Sequence, residues 1–362
     1  MLGVYIHIPF CKKICNYCDF CKVFYKTGYV LDYLDKLELE IKSKYNNEII
    51  DSIYIGGGTP SSLSLLELKR LFDIVKIFKL KNNYEFTIEC NIEYIDSDKL
   101  KLFKDNGVNR ISFGVESFDK DILKILGREH DSEMVFKNIE LSKGYFDNIN
   151  IDLIYGVTND IEIVKNDIDM FLKLGVSHIS CYSLILEENT KLYIDKHKYI
   201  DQDIDKMMFD YINDILVKNG YNHYEISNYS KDGKISIHNK NYWLNGSYYG
   251  FGLGAVSYLD NYRINNTKSM SKYLNKDFIS NKEYEDIDIR KENDLILGFR
   301  LIDGINYKLF NDKYNDDLLN KNIIKKLINE NKLLIDGNMI KCNYEYIYLL
   351  NDILIEIMGS DL

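Results

Sequence analysis

The stretch VYIHIPFCKKICNYCDFC, residues 4–21, runs an apolar β-type segment straight into four cysteines at positions 11, 15, 18 and 21. A first strand opening a dinucleotide-binding fold would be followed by GxGxxG, because the tight turn and the approaching phosphates require glycine there. Here thiols take that place. Cys11, Cys15 and Cys18 form CxxxCxxC. A structural zinc site usually asks for four ligands, as two CxxC pairs or a cysteine–histidine set. The local spacing supplies three, and iron–sulfur clusters are the other common consumers of closely spaced thiolates. A 4Fe–4S cluster held by three cysteines leaves one iron open to a substrate or cofactor. Cys21 competes for a fourth place, but it follows YCDF, where the chain is leaving the loop. It is expected to be a bystander, since an unpaired cysteine often behaves as a small hydrophobe.

Five more β-type runs follow: SIYIGGG (52–58), EFTIEC (85–90), RISFGV (110–115), NINIDLIYGV (148–157) and HISCYSLI (178–185). Helical periodicity separates them. Val30, Leu34, Leu37 and Ile41 repeat at helical spacing, as do Ile204, Met208, Tyr211 and Ile215, and Gly107, Gly127 and Gly220 close such runs. Alternating strands and helices predict parallel pairing with right-handed crossovers, in either a doubly wound sheet or a partial barrel. In a barrel of this kind active groups gather at C-terminal strand ends. The cysteines, the glycines of GGGTP, Glu89, Glu116 and Asp152 all fall at or just after such ends. Beyond Gly220 the texture changes to HYEISNYS, HNKNYW and YYGFGLGAVSY, without obvious crossover helices. From about Lys291, helical stretches lead to KLLIDGNMIKC, a hairpin signal around Asp336-Gly337. The expected divisions are 1–220, an intermediate segment 221–285, and a winged-helix-like unit 286–362.

Composition narrows the function classes. Hydrophobic residues at 46% and charged residues at 28% describe an ordinary globular chain. No apolar run approaches the roughly 18 residues of a membrane span, and no secretory segment is evident, which predicts a cytoplasmic protein. A net charge of −10 disfavours nucleic acid and anionic membrane as principal partners. Seven cysteines in such a chain point to metal binding or reactivity rather than a disulfide framework. Ordinary usage would give about 18 prolines, yet there are two, Pro9 and Pro60, each inside an unusual motif.

CxxxCxxC after a first strand, with an aromatic residue, Tyr17, before the third cysteine, resembles the radical S-adenosylmethionine (SAM) superfamily. YIHIPFCKKICNYCDF, IYIGGGTPS, RISFGVESF, LGREH, IDLIYG and HNKNYW together resemble its coproporphyrinogen dehydrogenase-like subfamily, and within that the haem-chaperone branch (HemW-like). The true dehydrogenases carry a further cysteine two residues after the third, and an extension before YIHIPFC. Here Phe20 stands at that position, Cys21 comes one residue later, and the motif begins at Tyr5. The resemblance implies a partial parallel (β/α)6 radical-SAM barrel with a C-terminal helical winged-helix-like domain. It also implies a chaperone that binds haem as cargo and delivers it to haem-accepting proteins, with a 4Fe–4S cluster and SAM. Coproporphyrinogen dehydrogenase activity is the alternative and is not expected. Radical-SAM modification of RNA is a second alternative, against which the acidic balance weighs.

By the same resemblance Cys11, Cys15 and Cys18 hold the cluster, whose open iron takes the amino and carboxylate groups of SAM; no side chain is assigned as catalytic. Gly57, Gly58 and Thr59 would meet the methionine end where a side chain would block approach. Tyr5, Tyr17, Glu89, Arg128 and Asp152 match cofactor-contacting positions, carboxylates suiting an ammonium or ribose diol and arginine a carboxylate. Glu116 stands where the family usually has glutamine, so its cofactor contact is the uncertain member of the set. His238, heading HNKNYW, is a candidate axial ligand for haem iron or else a satisfied structural histidine. His7 is expected near the cluster or in the core, and Cys90, Cys181 and Cys342 in packing.

Overall fold

The computed structural model describes residues 1–360. The six β-type runs form parallel strands in sequential order: β1 (Leu2–Ile8), β2 (Ile49–Gly57), β3 (Lys79–Asn91), β4 (Arg110–Glu116), β5 (Ile149–Tyr155) and β6 (His178–Ser183). Tyr5 pairs with Tyr54, Tyr54 with Thr87, Thr87 with Arg110, Ser112 with Asn150, and Asp152 with Ser180. A doubly wound sheet reverses its strand order and carries helices on both faces. Here the order of the six never reverses, so right-handed crossovers put their helices on one face and the sheet curls around the other. The partial barrel is the outcome.

Parallel strands covered on both faces usually read as continuous apolar runs, but these alternate. Val4, Ile6 and Ile8, Ile53 and Ile55, Phe86 and Ile88, and Ile111 and Phe113 are buried in the core with the helices. The residues between them, Tyr5 and His7, Ser52 and Tyr54, Thr87 and Glu89, Arg110 and Ser112, share the opposite face by the two-residue period. A polar lumen results. The outer layer includes α1 (Tyr29–Lys44), whose Val30, Leu34, Leu37 and Ile41 are all buried as the spacing predicts; each contributes roughly 1.5–3 kcal/mol. Next comes α2 (Leu65–Val75), opened by a capping box of Ser64 and Glu67. Glu67 also accepts from Tyr25 Oη at 3.0 Å, tying the exit of the cysteine loop to this helix.

Strands of the segment 221–285 pair at both sides of the six. β7 (Asn222–Glu225) and β8 (Asn228–Ser230) extend the sheet antiparallel beyond β6. On the other side β9 (Ser247–Phe251) lies parallel to β1, with Tyr5 opposite Gly250. Antiparallel β10 (Val256–Leu259), β11 (Tyr262–Asn266) and β12 (Ile279–Tyr284) follow, giving a sheet of 12 strands among the described residues. A seventh parallel strand therefore joins the six expected. No strand–helix period announces it, because β9 is reached from the short helix Ile237–Trp243 and returns by hairpins.

The last part contains helices Ile287–Gly298, Tyr307–Tyr314, Asn322–Asn329 and Leu350–Met358. Its hairpin pairs Leu333–Asp336 with Met339–Cys342 around Gly337, as the sequence predicts, and Ile305–Asn306 adds a third strand. It joins the barrel through Ile226 N to Arg300 O at 3.0 Å and Ile302 N to Tyr224 O at 3.2 Å. Asp361 and Leu362, the end of the expected third unit, lie outside the described residues. No helix among the described residues is long and apolar enough to cross a membrane.

Candidate functional site

The cysteine loop leaves β1 at Pro9 and is closed by a short parallel pair, Phe10–Cys11 with Val23–Phe24. Val23 N donates to Pro9 O at 2.8 Å and Tyr25 N to Cys11 O at 2.9 Å. Its middle is pinned by Asn16, whose N and Nδ2 donate to Leu126 O and Ile125 O at the end of helix Lys120–Leu126. Gly127, at φ 79°, ends that helix in the left-handed conformation and turns the chain so that Arg128 points back toward the loop.

One cavity of about 250 Å³ is walled by Cys11, Cys15 and Cys18 together with Tyr17, Gly57, Gly58, Thr59, Glu89, Glu116, Arg128 and Asp152. The topology thus brings together every candidate site residue except Tyr5 and His238. Thr59 Oγ1 donates to Cys11 Sγ at 3.6 Å, and Arg128 Nη1 to Cys15 Sγ at 3.8 Å. Burial pushes the Cys11 thiol up to about 11 and raises Cys15 and Cys18 as well. These are thiols awaiting a positive partner, since a metal centre displaces the proton of a ligating cysteine. Among the described residues no group of three His, Cys, Asp or Glu side chains converges tightly enough for a single metal ion. A cluster spreads its irons over a cube and takes its thiolates from separate corners, so three soft sulfur donors on one cavity wall fit an iron–sulfur cluster.

The carboxylates of this wall are held individually. Glu89 accepts from Tyr54 Oη at 2.8 Å and from Gly57 N at 3.0 Å, and burial raises its pKa to about 7. Asp152 accepts from Ser112 Oγ at 3.0 Å and Asn150 Nδ2 at 2.8 Å, and burial raises it too. Glu116 accepts from Tyr17 Oη at 2.5 Å and lies 3.4 Å from Arg128 Nη1. Glu116 Oε2 and Arg128 Nε are buried without partners, polar atoms that a cofactor in this cavity could satisfy. Two glycines make room for these side chains: a Cβ on Gly56 would meet the Glu89 carboxylate at 2.8 Å, and one on Gly114 would meet Glu116 Oε1 at 2.9 Å. Gly57 has a different reason. At φ 112°, its Cβ would lie 2.5 Å from the His7 ring, so backbone conformation and packing both demand glycine there.

Tyr5 and His238 line a second cavity of about 520 Å³, which shares Phe20, Tyr54, Gly57, Glu89 and Tyr182 with the first. Cys21 lines this second cavity, away from the other three cysteines of the loop. His7 is buried and lines the second cavity. Its Nε2 donates to Cys21 O at 2.6 Å, which leaves Nδ1 to accept from Tyr5 Oη at 2.9 Å. The HNKNYW helix caps the strand starts beneath this lumen. Glu85 accepts from Ile237 N and His238 N, and Ser236 Oγ from Asn239 N. His238 has both ring nitrogens engaged, Nδ1 with Ser52 Oγ at 2.9 Å and Nε2 with Tyr242 Oη at 2.8 Å. Its ring stacks on Tyr54, and burial lowers its pKa to about 3. Cys90, Cys181 and Cys342 are buried.

Tyr54 is the functional residue that sequence reasoning passed over. It lines both cavities, holds Glu89 and stacks on Tyr5 and His238. Its signal was the two-residue period of SIYIGGG, which places Tyr54 on the same strand face as Gly56.

Residues 5–168 match the family described as the Radical SAM superfamily. The chain is 38% identical over 373 residues to the heme chaperone HemW of Lactococcus lactis subsp. lactis (strain IL1403), covering 99% of this chain and 98% of that protein. It is 36% identical to the heme chaperone HemW of Bacillus subtilis (strain 168), covering 88% of each. Among solved structures it resembles coproporphyrinogen III oxidase (HemN) from Escherichia coli, a radical SAM enzyme, with a TM-score of 0.87 and 21% identity. That likeness covers 98% of this chain and 89% of the other, and at this identity it speaks for the fold alone.

Proposed function

The chain belongs to the heme chaperone HemW family of the radical SAM superfamily, and from that premise we propose that it binds haem and passes it to haem-accepting proteins in the cytoplasm. The end-to-end likeness to curated proteins of that name carries the proposal. Cys11, Cys15 and Cys18 would hold a 4Fe–4S cluster, with SAM beside it against Gly57, Gly58 and Thr59. When bound, such a cluster supplies single-electron chemistry to the sulfonium cofactor.

The chain's own contribution is positioning and shielding. Tyr54 and Gly57 fix the Glu89 carboxylate, and Ser112 and Asn150 fix that of Asp152, as acceptors for an ammonium or hydroxyl groups. Arg128 presents a guanidinium to a carboxylate. The second cavity is the proposed place for haem. Tyr54, Tyr242 and Tyr248 offer aromatic surface to a flat macrocycle, and Lys268 an ammonium to a propionate. Axial ligation by His238 requires Tyr242 to release Nε2.

Anaerobic reconstitution followed by haem titration, and incubation with coproporphyrinogen III, tests this reading. Haem should bind about stoichiometrically and pass to an added apo-haem protein, and no protoporphyrinogen should form. Robust decarboxylation would replace the chaperone reading by the dehydrogenase one, which the shared fold with HemN accommodates.

A further inference from the structure

Glu89, Glu116 and Asp152 stand on the wall of the cofactor cavity together with Arg128, Lys13 and Lys22. Lys13 is paired with Glu129, Lys22 donates to Cys18 O and Phe20 O, and Arg128 lies 3.6 Å from Glu93 as well as beside Glu116. Both oxygens of Glu89 and both of Asp152 have donors, from Tyr54, Gly57, Ser112 and Asn150. Glu116 differs. Its Oε1 takes Tyr17 and faces Arg128, while Oε2 is buried with no donor, on a residue only 5% exposed. Glu116 is also held at φ 63°, a left-handed conformation uncommon for a residue with a side chain, at the bulge ending β4. The fold keeps a strained backbone here, and a bare glycine at 114, to hold this carboxylate on the wall.

An amide at this place would serve a neutral hydrogen-bonding role. A carboxylate with one oxygen unpaired adds a negative charge in a site screened from water, where charge–charge terms are several-fold larger than in bulk solvent. Arg128 is shared between Glu93 and Glu116, so a ligand that completes the balance at Glu116 carries positive charge. We propose that Glu116 is a specificity residue that makes the cavity prefer a sulfonium cation over the neutral thioether left when the sulfur loses a substituent. The proposal rests on the reading that SAM occupies this cavity. The cofactor would arrive as a cation and its spent form would be held less firmly, by the charge on Glu116 rather than by shape.

The test compares equilibrium binding of SAM and S-adenosylhomocysteine to the cluster-loaded protein, for the wild type and Glu116→Gln. The wild type should prefer SAM by about tenfold or more, and the variant should lose most of that preference through weaker SAM binding alone. An unchanged ratio, or equal weakening of both ligands, overturns the proposal. Tyr17→Phe provides a second arm that does not depend on the Gln variant folding. Removing the hydroxyl that stabilises the charged carboxylate should lower the preference for SAM with S-adenosylhomocysteine binding unchanged; a raised preference, or an equal fall in both affinities at retained iron content, would count against it. Equal affinity in the wild type overturns charge selection by itself. Failure of the wild type to bind either ligand refutes instead the assignment of SAM to this cavity.

Discussion

Arg128 donates from Nη1 to the sulfur of Cys15 at 3.8 Å, joining residues 113 positions apart in the chain. Its Nη2 donates to Gly114 O at 2.8 Å, and Glu116 and Glu93 lie beside it. The strand end, the cysteine loop and helix Lys120–Leu126 therefore meet on one buried cation. Removing it leaves two carboxylates uncompensated. Arg128→Met should cost about 3–5 kcal/mol in urea unfolding of the cluster-free protein. A loss below about 1 kcal/mol would contradict this.

The separation of Cys21 from the other thiols predicts a sharp split in metal content. Serine at Cys11, Cys15 or Cys18 should abolish bound iron and sulfide after reconstitution, whereas Cys21→Ser should keep both. A normal cluster in any of the first three, or its loss in the fourth, would refute the ligand assignment.

Glycine 57 is fixed by its neighbours as well as by any cofactor. Gly57→Ala forces a positive φ on a side chain and drives it into the His7 ring, which anchors the loop through Cys21 O. The expected cost is about 2–4 kcal/mol in stability, accompanied by reduced cluster retention. A variant that loses SAM binding with stability untouched would show that cofactor approach alone requires this glycine.

His238 and Tyr242 give paired outcomes in a haem titration. If the imidazole becomes an axial ligand, His238→Ala weakens haem binding, because loss of a metal ligand outweighs loss of a packing contact. Tyr242→Phe frees Nε2 and should tighten binding and alter the haem absorbance. Unchanged affinity and spectrum in both variants, each folded, would remove the ligand role.

Much of this was legible in the sequence because the signals were local. The strand–helix period located all six expected strands, and strand-end placement singled out the residues that converge on the cysteine cavity. What stayed hidden depended on long-range pairing. β9 carries no crossover signature, so its alliance with β1 across more than half the chain could not be read from YYGFG. β3 begins at Lys79, ahead of EFTIEC, because Lys79 and Leu80 pair with Ile49 and Ile50, and KNN is taken up at the register shift before Glu85 pairs with Ser52. The division between the cavities was also illegible. Tyr5 and His7 alternate with Val4, Ile6 and Ile8 as a lumen face should, but only the tertiary fold shows that Tyr5 stacks on Tyr54 and shares a cavity with His238 rather than with Cys11, Cys15 and Cys18.

The wall between the two cavities has a thermodynamic consequence. The hydrogen bond from Tyr54 to Glu89 belongs to both, so two ligands seated on either side would share one boundary. Any factor by which the first changes the affinity for the second must be returned equally by the second to the first. A cargo that displaced Tyr54 would report its presence to the cofactor side without touching it, and loss of the cofactor would alter the grip on the cargo. Loading and release would then be two readings of a single coupling free energy, set by one tyrosine and one carboxylate.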